Sequence, residues 1–236
     1  MTISILTPSR GRPQGLNEFF KSVNETISGQ NKILFIIGLD QDDPLLQTYL
    51  FTIEGMTKKA HPEIEIITKI DKRHLLARIW NNLAKEGKGW LTVGNDDYVY
   101  LTPGWDVILE SYISNINHPY HLFFFDDGLQ HGNHCAFPIV SKEWVNALGY
   151  FFPEIFHHNY VDTWVFDIAQ RLNVWKYIPE VKNQHLHHSI NLHSFDKTYK
   201  EGNTNNEDDR VMYLSHTKER EAEVEKIKSK IEQWKN

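Results

Sequence analysis

Short apolar runs alternate with amphipathic segments over the N-terminal half of the chain. Three of these runs are mostly apolar, and one alternates between apolar and polar residues. The runs end at polar residues, as expected for strands of a sheet. These predicted strands cover residues 3–6, 33–39, 63–67 and 90–93. Apolar residues at helical spacing predict helices over residues 16–27 and 74–85, and a short helix that begins at Pro44. Strands that alternate with helices predict an α/β fold with a mostly parallel central sheet and helices on both faces.

The C-terminal half continues the same alternation. Ser141 and Gly149 suit the N-cap and the C-cap of one predicted helix. The predicted helices cover residues 101–113, 141–148 and 163–172, and the predicted strands cover residues 122–125, 134–140 and 174–178.

The last part of the chain combines an acidic segment with a charged helix. A loop is predicted over residues 203–209 and a single long helix over residues 208–235. A narrow apolar stripe on this helix would pack on the domain or pair with a second copy, which would give a homodimer. We therefore expect one domain over residues 1–200, followed by an acidic loop and an amphipathic helix over residues 201–236. The stripe consists of Val224, Ile227, Ile231 and Trp234.

Composition and charge exclude several classes of protein. A formal net charge of -6 argues against nucleic-acid binding driven by overall charge. Cys135 is the single cysteine, which excludes an internal disulfide and a thiolate zinc site. The start of the chain lacks a signal-peptide pattern, and no apolar run reaches the roughly 20 residues of a membrane span, so a cytoplasmic location is expected. Aromatic residues, 13% of the chain, can stack on sugar and base rings.

Polar clusters follow three of the predicted strands at the points where each strand ends. Carboxyl ends of parallel strands meet at one edge of a sheet, where ligands bind in open α/β folds. Arginines suit phosphates, and carboxylates can accept hydrogen bonds from a ribose or bind a divalent cation. Each cluster alone is also typical of a solvated turn. The clusters are Ser9, Arg10 and Arg12, then Asp40, Asp42 and Asp43, and finally Asp96 and Asp97.

Three of these features together resemble the donor half of a GT-A glycosyltransferase. They are the first strand ending in Thr7-Pro8, the second strand ending in Asp40, and Asn95-Asp96-Asp97 after the fourth strand. The resemblance is to the family 2-like group, in particular its small phage and bacterial members, and it extends over roughly residues 1–190. Asn95 stands where many members carry the first Asp of the metal-binding motif.

The resemblance implies a metal-dependent transfer of a sugar from a nucleotide-sugar, expected to be a UDP-sugar, to an acceptor hydroxyl. Mn²⁺ or Mg²⁺ would be the cofactor, and Asp97 would bind it. Residues 1–100 would hold the nucleotide-sugar and residues 101–200 the acceptor. The residues implied in donor binding are Thr7, Pro8, Arg10, Asp40, Arg78 and Asp96, of which Asp96 would lie near the ribose or the metal.

A second set of residues resembles the catalytic part of the same family. Gly149 and an aromatic turn precede Asp162, which matches the family's catalytic Asp, while Val161 replaces the Glu that commonly stands before it. A carboxylate beside an acceptor hydroxyl can accept its proton as the new glycosidic bond forms. The resemblance therefore implies that Asp162 is the general base of an inverting transfer. The alternative interpretation of Asp162 is an N-cap for the helix predicted over residues 163–172.

Histidines are concentrated in the C-terminal half, where ten of the 13 lie between His118 and His193. In an extended segment, His185 and His187 would project to one side, which suits a metal ion. Members of the family often take a metal ligand from this region, so His185 is the first candidate and His187 the second. Alternatively, both belong to a solvated loop. Further candidates for lining the acceptor site are His131, His134, His157 and His158.

The acceptor and two other functions remain open at this point. A saccharide or a hydroxymethylated pyrimidine in DNA would fit the family, and a basic cluster would favour DNA through its phosphates. A sugar-1-phosphate nucleotidyltransferase typically has a glycine-rich loop after the first strand, where this chain has only Gly11. A non-catalytic nucleotide or carbohydrate binder would keep Asp40 without needing Asp162. The basic cluster comprises Lys58, Lys59, Lys69, Lys72 and Arg73.

Overall fold

The structure, a computed structural model, describes residues 1–186 and 205–235. Its strands are β1 (Thr2–Ser9), β2 (Lys32–Asp40), β3 (Ile64–Asp71), β4 (Trp90–Val93), β5 (Tyr98–Tyr100), β6 (Leu122–Asp126), β7 (Ile139–Ser141) and β8 (Trp175–His185). Its helices are α1 (Pro13–Thr26), α2 (Leu46–Lys59), α3 (Leu76–Glu86), α4 (Trp105–Ile113), α5 (Lys142–Leu148), α6 (Val161–Arg171), α7 (Asn206–Ser215) and α8 (Thr217–Lys235). Strands and helices alternate up to β4, as predicted.

The strands form one mixed sheet in the order β3-β2-β1-β4-β7-β6-β8-β5. β1 lies parallel to β2 and β4, β2 lies parallel to β3, and β6 lies parallel to β8. β7 runs antiparallel between β4 and β6, and β5 pairs antiparallel with β8. The expected α/β fold is confirmed, and the carboxyl ends of β1, β2 and β4 meet at one edge of the sheet.

The N-terminal part of the sheet is buried along almost the whole length of β1 and β2, as expected for strands covered on both faces. Phe19 and Phe20 of α1 both contact Phe35 of β2, with ring centroids 5.4 Å apart in each pair. Trp80 of α3 donates its indole N–H to the carbonyl of Leu6 at 3.2 Å. These contacts hold α1 and α3 against the strands whose ends form the edge described above.

Three strands differ clearly from the sequence-based prediction. The strand predicted over residues 134–140 is wrong over residues 134–138, because β7 covers only Ile139–Ser141 and begins after Pro138, which lacks a backbone N–H. β5 is not predicted at all, and β8 continues well beyond the predicted segment over residues 174–178, as far as His185. Pro179 explains the early end of the prediction, because proline lacks the N–H that a strand interior needs. The chain accommodates it where the register between β6 and β8 shifts, after Ile178 has paired with Phe125. Beyond this irregularity β8 pairs with β5.

α2 is longer than the short helix predicted from Pro44. Its buried face consists of Tyr49, Ile53 and Met56, which follow helical spacing. Phe51 on the opposite side is 79% exposed, and this apolar residue obscures the amphipathic pattern. The helix is therefore recognisable only once its packing on the domain is known.

The single helix predicted over residues 208–235 is wrong, because the chain forms α7 and α8 with a break at His216. The hydroxyl of Ser215 donates to the carbonyl of Met212 at 3.1 Å, and the hydroxyl of Thr217 donates to the carbonyl of Leu214 at 3.1 Å. The carbonyl of Met212 also keeps its backbone donor, the N–H of His216 at 3.2 Å, so the hydroxyl of Ser215 adds a second hydrogen bond to it. The hydroxyl of Thr217 satisfies the carbonyl of Leu214 at the end of α7. The break allows α7 and α8 to contact different parts of the domain.

α8 packs on α5 and α6 of the same chain. Ile227 and Ile231 of the predicted stripe are buried in the core, and Val224 is partly buried against it. Trp234 remains 55% exposed. The apolar stripe therefore packs within the chain, and the structure does not support a homodimer formed through this helix. In the described part of the chain, no helix combines the length and the apolar character that crossing a bilayer requires.

A buried arginine joins α8 to α6 and α7. Arg220 donates from Nε to Oδ2 of Asp167 at 2.6 Å and from Nη1 to the carbonyl of Tyr213 at 2.8 Å. Its guanidinium also lies over the rings of Tyr213 and Trp164, at 4.0 and 4.9 Å from their centroids. The two C-terminal helices are thus fixed to α6, which carries Asp162.

Candidate active site

A cleft of about 1030 Å³ lies where the ends of β1, β2 and β4 meet. Asp40, Asp97 and Asp162, which the sequence suggests for donor binding, metal binding and base catalysis, all line this cleft. His185 lines it as well. The fold therefore brings together carboxylates that are far apart in the sequence.

One end of the cleft is formed by the loop after β1 and the end of β2. Arg10 donates to Oδ2 of Asp40 at 2.9 Å and to Oδ1 of Asp42 at 2.7 Å. Burial raises the pKa of Asp40 above its ordinary value, while the hydrogen bond from Arg10 opposes this rise. The backbone N–H of Gly11 donates to the buried carboxylate of Asp43 at 2.7 Å. The loop after β1 is thus held to the end of β2 by three carboxylates.

The acidic loop between β4 and β5 approaches the loop that follows β1. Ser9 donates to Oδ2 of Asp96 at 2.7 Å, and Arg12 donates to Oδ1 at 3.1 Å. Gly15 permits this close approach, because a Cβ at that position would lie 2.4 Å from the carbonyl oxygen of Asp96. Both oxygens of the Asp96 carboxylate are therefore engaged by the loop after β1.

The ionisation of Asp96 should make the stability of the fold depend on pH. Burial and the charge of Asp97 raise the pKa of Asp96 to about 6, although Arg12 and Ser9 oppose the rise. A carboxyl group whose pKa is higher in the folded state stabilises the fold when protonated, and this contribution is lost as the pH rises from about 4 to about 6. We expect the stability of Asp96→Asn relative to the metal-free wild type to increase by roughly 2 kcal/mol over this interval.

Thermal unfolding of wild type and Asp96→Asn in a chelating buffer, at about pH 4.5 and about pH 7.5, measures this effect. The comparison uses the difference between the two proteins, because groups far from Asp96 titrate equally in both. A difference that does not change with pH would contradict the prediction.

Asp97 and His185 are brought together by the pairing of β5 with β8. Tyr98 is aligned with His185 in this pair, and the N–H of Leu186 donates to the carbonyl of Asp97 at 2.7 Å. As a result, Nε2 of His185 lies 3.8 Å from Oδ1 of Asp97. Within residues 1–186 and 205–235, no three His, Cys, Asp or Glu side chains are grouped closely enough to hold a metal ion. Asp97 and His185 could supply two ligands to a metal ion, but they do not form a complete metal site within the described residues.

The other residues suggested by the sequence are distributed inside and outside the cleft. Pro8 lines it, whereas the side chain of Thr7 is fully buried. Arg78 is exposed on α3 and is not among the described residues that line the cleft, while Arg73 is among them. His187 lies outside the described residues.

The opposite wall of the cleft carries Asp162, in the first turn of α6. Tyr160 occupies the N-cap position, with a left-handed backbone (φ 66°), so the alternative interpretation of Asp162 as the N-cap is wrong. Oδ1 of Asp162 accepts a hydrogen bond from the N–H of Thr163 at 2.8 Å, and Oδ2 lies 2.9 Å from Nε2 of His134. The carboxylate is therefore held on both of its oxygens.

The loop before α6 is fixed by a carboxylate from α7. Asp209 is fully buried and accepts hydrogen bonds from the N–H groups of His157 at 2.7 Å, His158 at 2.9 Å and Asn159 at 2.8 Å. Burial alone would raise the pKa of Asp209, but these bonds outweigh it and lower the pKa below its ordinary value. Residues 157–160 line the cleft, so α7 shapes the wall beside Asp162.

The sequence suggests no role for Asp127 or Asp209. Asp127 lines the cleft just after β6 and is 5% exposed, and its Oδ1 accepts from the N–H groups of Leu129 at 2.9 Å and Gln130 at 2.7 Å. Among the described residues, its Oδ2 has no hydrogen-bond partner. An apolar run that ends in an Asp is the same signal that identified Asp40, and it could have identified Asp127. Asp209 has no comparable signal.

Comparisons with known proteins establish the fold. No protein-family model and no curated protein matches the sequence. Among solved structures, TarS from S. aureus aligns with 85% of this chain and 38% of its own, with 10% identity and a TM-score of 0.58. A TarS 1-349 structure in complex with UDP-GlcNAc aligns with 77% of this chain and 58% of its own, with 9% identity and a TM-score of 0.57.

A third solved structure is the mannosyltransferase PcManGT from Pyrobaculum calidifontis in complex with GDP-Man and Mn²⁺. It aligns with 77% of this chain and 56% of its own, with 10% identity and a TM-score of 0.60. The chain thus spans between 38% and 58% of the length of the chains in these three structures. The likeness confirms the expected GT-A-like fold.

Proposed function

We propose that this chain is a metal-dependent glycosyltransferase that moves a sugar from a nucleotide-sugar, expected to be a UDP-sugar, to an acceptor hydroxyl. The observation that carries the proposal is the shared cleft, because Asp40, Asp97 and Asp162 come from separate elements and line one cavity. A non-catalytic binder would not need Asp162 in that cavity. A sugar-1-phosphate nucleotidyltransferase would need more than Gly11 in the loop after β1.

The charges at the donor end of the cleft suit a nucleoside diphosphate. Arg10, Arg12 and Arg73 line this end, and guanidinium groups match the geometry of phosphate oxygens. Asp40 would accept a hydrogen bond from the base or the ribose. Because Arg10 is paired with Asp40 at 2.9 Å, both groups are in position before a donor arrives.

A divalent cation would be held by Asp97 and His185, with diphosphate oxygens completing its ligands. A carboxylate oxygen and an imidazole nitrogen, 3.8 Å apart at the cleft, form a donor set that suits Mn²⁺. When bound, the cation would stabilise the negative charge that develops on the departing diphosphate. His187 remains the second candidate ligand.

Asp162 would act as the general base of a single displacement. The acceptor oxygen forms a bond to the anomeric carbon, the bond from that carbon to the diphosphate oxygen breaks, and the acceptor proton moves to the Asp162 carboxylate. The nucleoside diphosphate leaves on the opposite face of the sugar, so the anomeric centre is inverted. No covalent bond between the sugar and the protein is needed.

The proposed acceptor is a saccharide rather than DNA. Besides Asp127 and several histidines, the lining of the cleft that contains Asp162 includes the neutral polar and aromatic side chains of Gln130, Asn159 and Tyr160. Such groups suit the hydroxyls and the rings of sugars. DNA binding depends mainly on cationic contacts to phosphates.

The basic cluster considered for DNA binding is divided in the structure. Lys58 pairs with Glu54 at 2.5 Å and Lys69 pairs with Glu86 at 2.7 Å. Arg73 lines the donor end of the cleft. These partners weaken the case for a continuous surface that follows a nucleic-acid backbone.

A thermal-shift screen tests the proposed function. We expect a nucleotide-sugar to raise Tm by several degrees in the presence of Mn²⁺ and by less in its absence, because a ligand that binds only the folded state stabilises it by roughly 2.7 kcal/mol at 100 times Kd. The panel contains UDP- and GDP-sugars, and the best donor is then assayed for transfer to oligosaccharides and to hydroxymethylated DNA.

Two variants test whether the response in this screen comes from the cleft. Asp40→Asn is expected to lose most of the response to the nucleotide-sugar. Asp71→Asn is the matched control, because Asp71 is aligned with Asp40 on the neighbouring strand β3 but is 63% exposed and outside the described lining of the cleft. No response to any nucleotide-sugar would overturn the proposal, and a response only to a sugar-1-phosphate with a nucleoside triphosphate would favour the nucleotidyltransferase.

A further inference from the structure

His134 and Asp162 form a side-chain contact inside the cleft that donor binding does not require. His134 lies between β6 and β7, and Asp162 lies in the first turn of α6. Nε2 of His134 and Oδ2 of Asp162 are 2.9 Å apart. The two side chains are 28% and 25% exposed, and both line the cleft. The pair is therefore partly shielded from water and still accessible to a substrate.

The contact fixes the orientation of the Asp162 carboxylate. The N–H of Thr163 donates to Oδ1 at 2.8 Å, so the backbone of α6 holds one oxygen and the imidazole of His134 holds the other. Two donors on different oxygens prevent rotation of the carboxylate. The hydroxyl of Thr163 also lies 3.4 Å from Oδ1, whereas Oδ2 keeps a further lone pair that can accept a proton.

The charges around His134 favour this arrangement. The hydrogen bond to Asp162 raises the pKa of His134 above its ordinary value, the charges of Asp162 and Asp127 add to the rise, and burial opposes it. Nearby, burial lowers the pKa of His158 and raises the pKa of the Cys135 thiol, so neither of these side chains competes as a cation or as an anion. The imidazole thus presents its Nε2–H to Asp162.

We propose that His134 is a positioning residue for the base, because its imidazole holds the Asp162 carboxylate in the orientation that receives the acceptor proton. The inference rests on the proposed glycosyl transfer, with Asp162 as the base. His134 takes no proton from the acceptor and contacts no reacting atom. The proton moves to Asp162 as the glycosidic bond forms, while the Nε2–H of His134 remains on the other side of the carboxylate.

Two substitutions of His134 separate positioning from simple packing. His134→Ala removes the donor, and we expect kcat to fall by roughly 10- to 100-fold with little change in the KM for the nucleotide-sugar, since a misplaced catalytic group slows the chemical step. In His134→Gln the side-chain amide nitrogen stands in for Nε2, so most of the lost kcat should be recovered. Equal loss in both variants, or an unchanged kcat in His134→Ala, would overturn the inference.

His131→Asn provides the matched control on the same segment. The His131 side chain is 65% exposed, its Nδ1 lies 3.1 Å from Asp126, and it is not among the described residues that line the cleft. Its backbone is left-handed, with φ 46°, which asparagine tolerates. This variant is expected to keep the wild-type kcat. A loss comparable to that of His134→Ala would mean that any change in this segment impairs transfer, and would also overturn the inference.

NMR titration of the imidazoles tests the contact without any activity. We expect the pKa of His134 to fall towards its ordinary value in Asp162→Asn, because the main cause of its rise is removed. An unchanged His134 titration would overturn the pairing. If no donor supports transfer, the proposed function fails even where this titration succeeds. If Asp162→Asn abolishes transfer but His134→Ala retains the wild-type kcat, only the positioning inference fails.

Discussion

Replacing Asp162 with asparagine is expected to lower kcat for glycosyl transfer by roughly 10²- to 10⁴-fold, the range that a general base contributes. Asparagine has nearly the same shape and can still accept the hydrogen bond that the N–H of Thr163 donates at 2.8 Å. It cannot accept the proton of the acceptor hydroxyl. The loss should therefore appear in the chemical step, while the fold and the opposite wall of the cleft are maintained.

Donor binding serves as the internal control for Asp162→Asn. Arg10 and Asp40 are paired with each other at the other end of the cleft, so the nucleotide-sugar should raise Tm in the variant as it does in the wild type. Initial rates at saturating donor, with product detected by mass, measure kcat. A variant that transfers sugar at the wild-type rate would remove Asp162 from the role of base and leave the donor site unaffected.

Asp209→Ala is expected to lower the free energy of unfolding by roughly 2–4 kcal/mol. Three backbone N–H groups, those of His157, His158 and Asn159, lose their common acceptor, and each buried donor without a partner costs about 1–3 kcal/mol, less where water can replace the carboxylate. For a chain of this size the corresponding fall in Tm is about 5–15 °C. Calorimetry or thermal fluorescence measures it.

Asp209→Ala should also weaken the binding of the acceptor more than the binding of the donor. Residues 157–160 line the cleft beside Asp162, whereas the Arg10 end of the cleft has no contact with Asp209 among the described residues. We therefore expect a raised KM for the acceptor and an unchanged response to the nucleotide-sugar. Asp208→Ala is the matched control, because Asp208 precedes Asp209 on α7 and is exposed. If both variants had the same Tm, the proposed anchoring role of Asp209 would be wrong.

The sequence predicts the strands of residues 1–100 better than those of residues 101–200, for a physical reason. The first, second and fourth strands are buried apolar runs, and each leads directly into the polar residues that line the cleft. The predicted strand over residues 90–93 coincides with β4. These signals are local, because a single run specifies both a strand and the residues at its end.

The parts that could not be predicted depend on contacts between distant segments. β5 has only three residues and exists because β8 pairs with it. The break at His216 separates two helices that sequence periodicity joins into one. The contact between His134 and Asp162 links positions 28 residues apart, and no spacing rule relates them. Arg78 is a residue that the resemblance implied in donor binding. The structure places it exposed on α3.

The anchoring of residues 157–159 by Asp209 has a consequence for folding during synthesis. Chains emerge from the ribosome N-terminus first, at roughly 5–20 residues per second, and fold as their partners become available. The elements from β1 to β4 can associate early, but Asp209 emerges 52 positions after His157. In a nascent chain halted before α7, the ends of β1, β2 and β4 would therefore be assembled, while residues 157–159 would still lack the carboxylate that holds them.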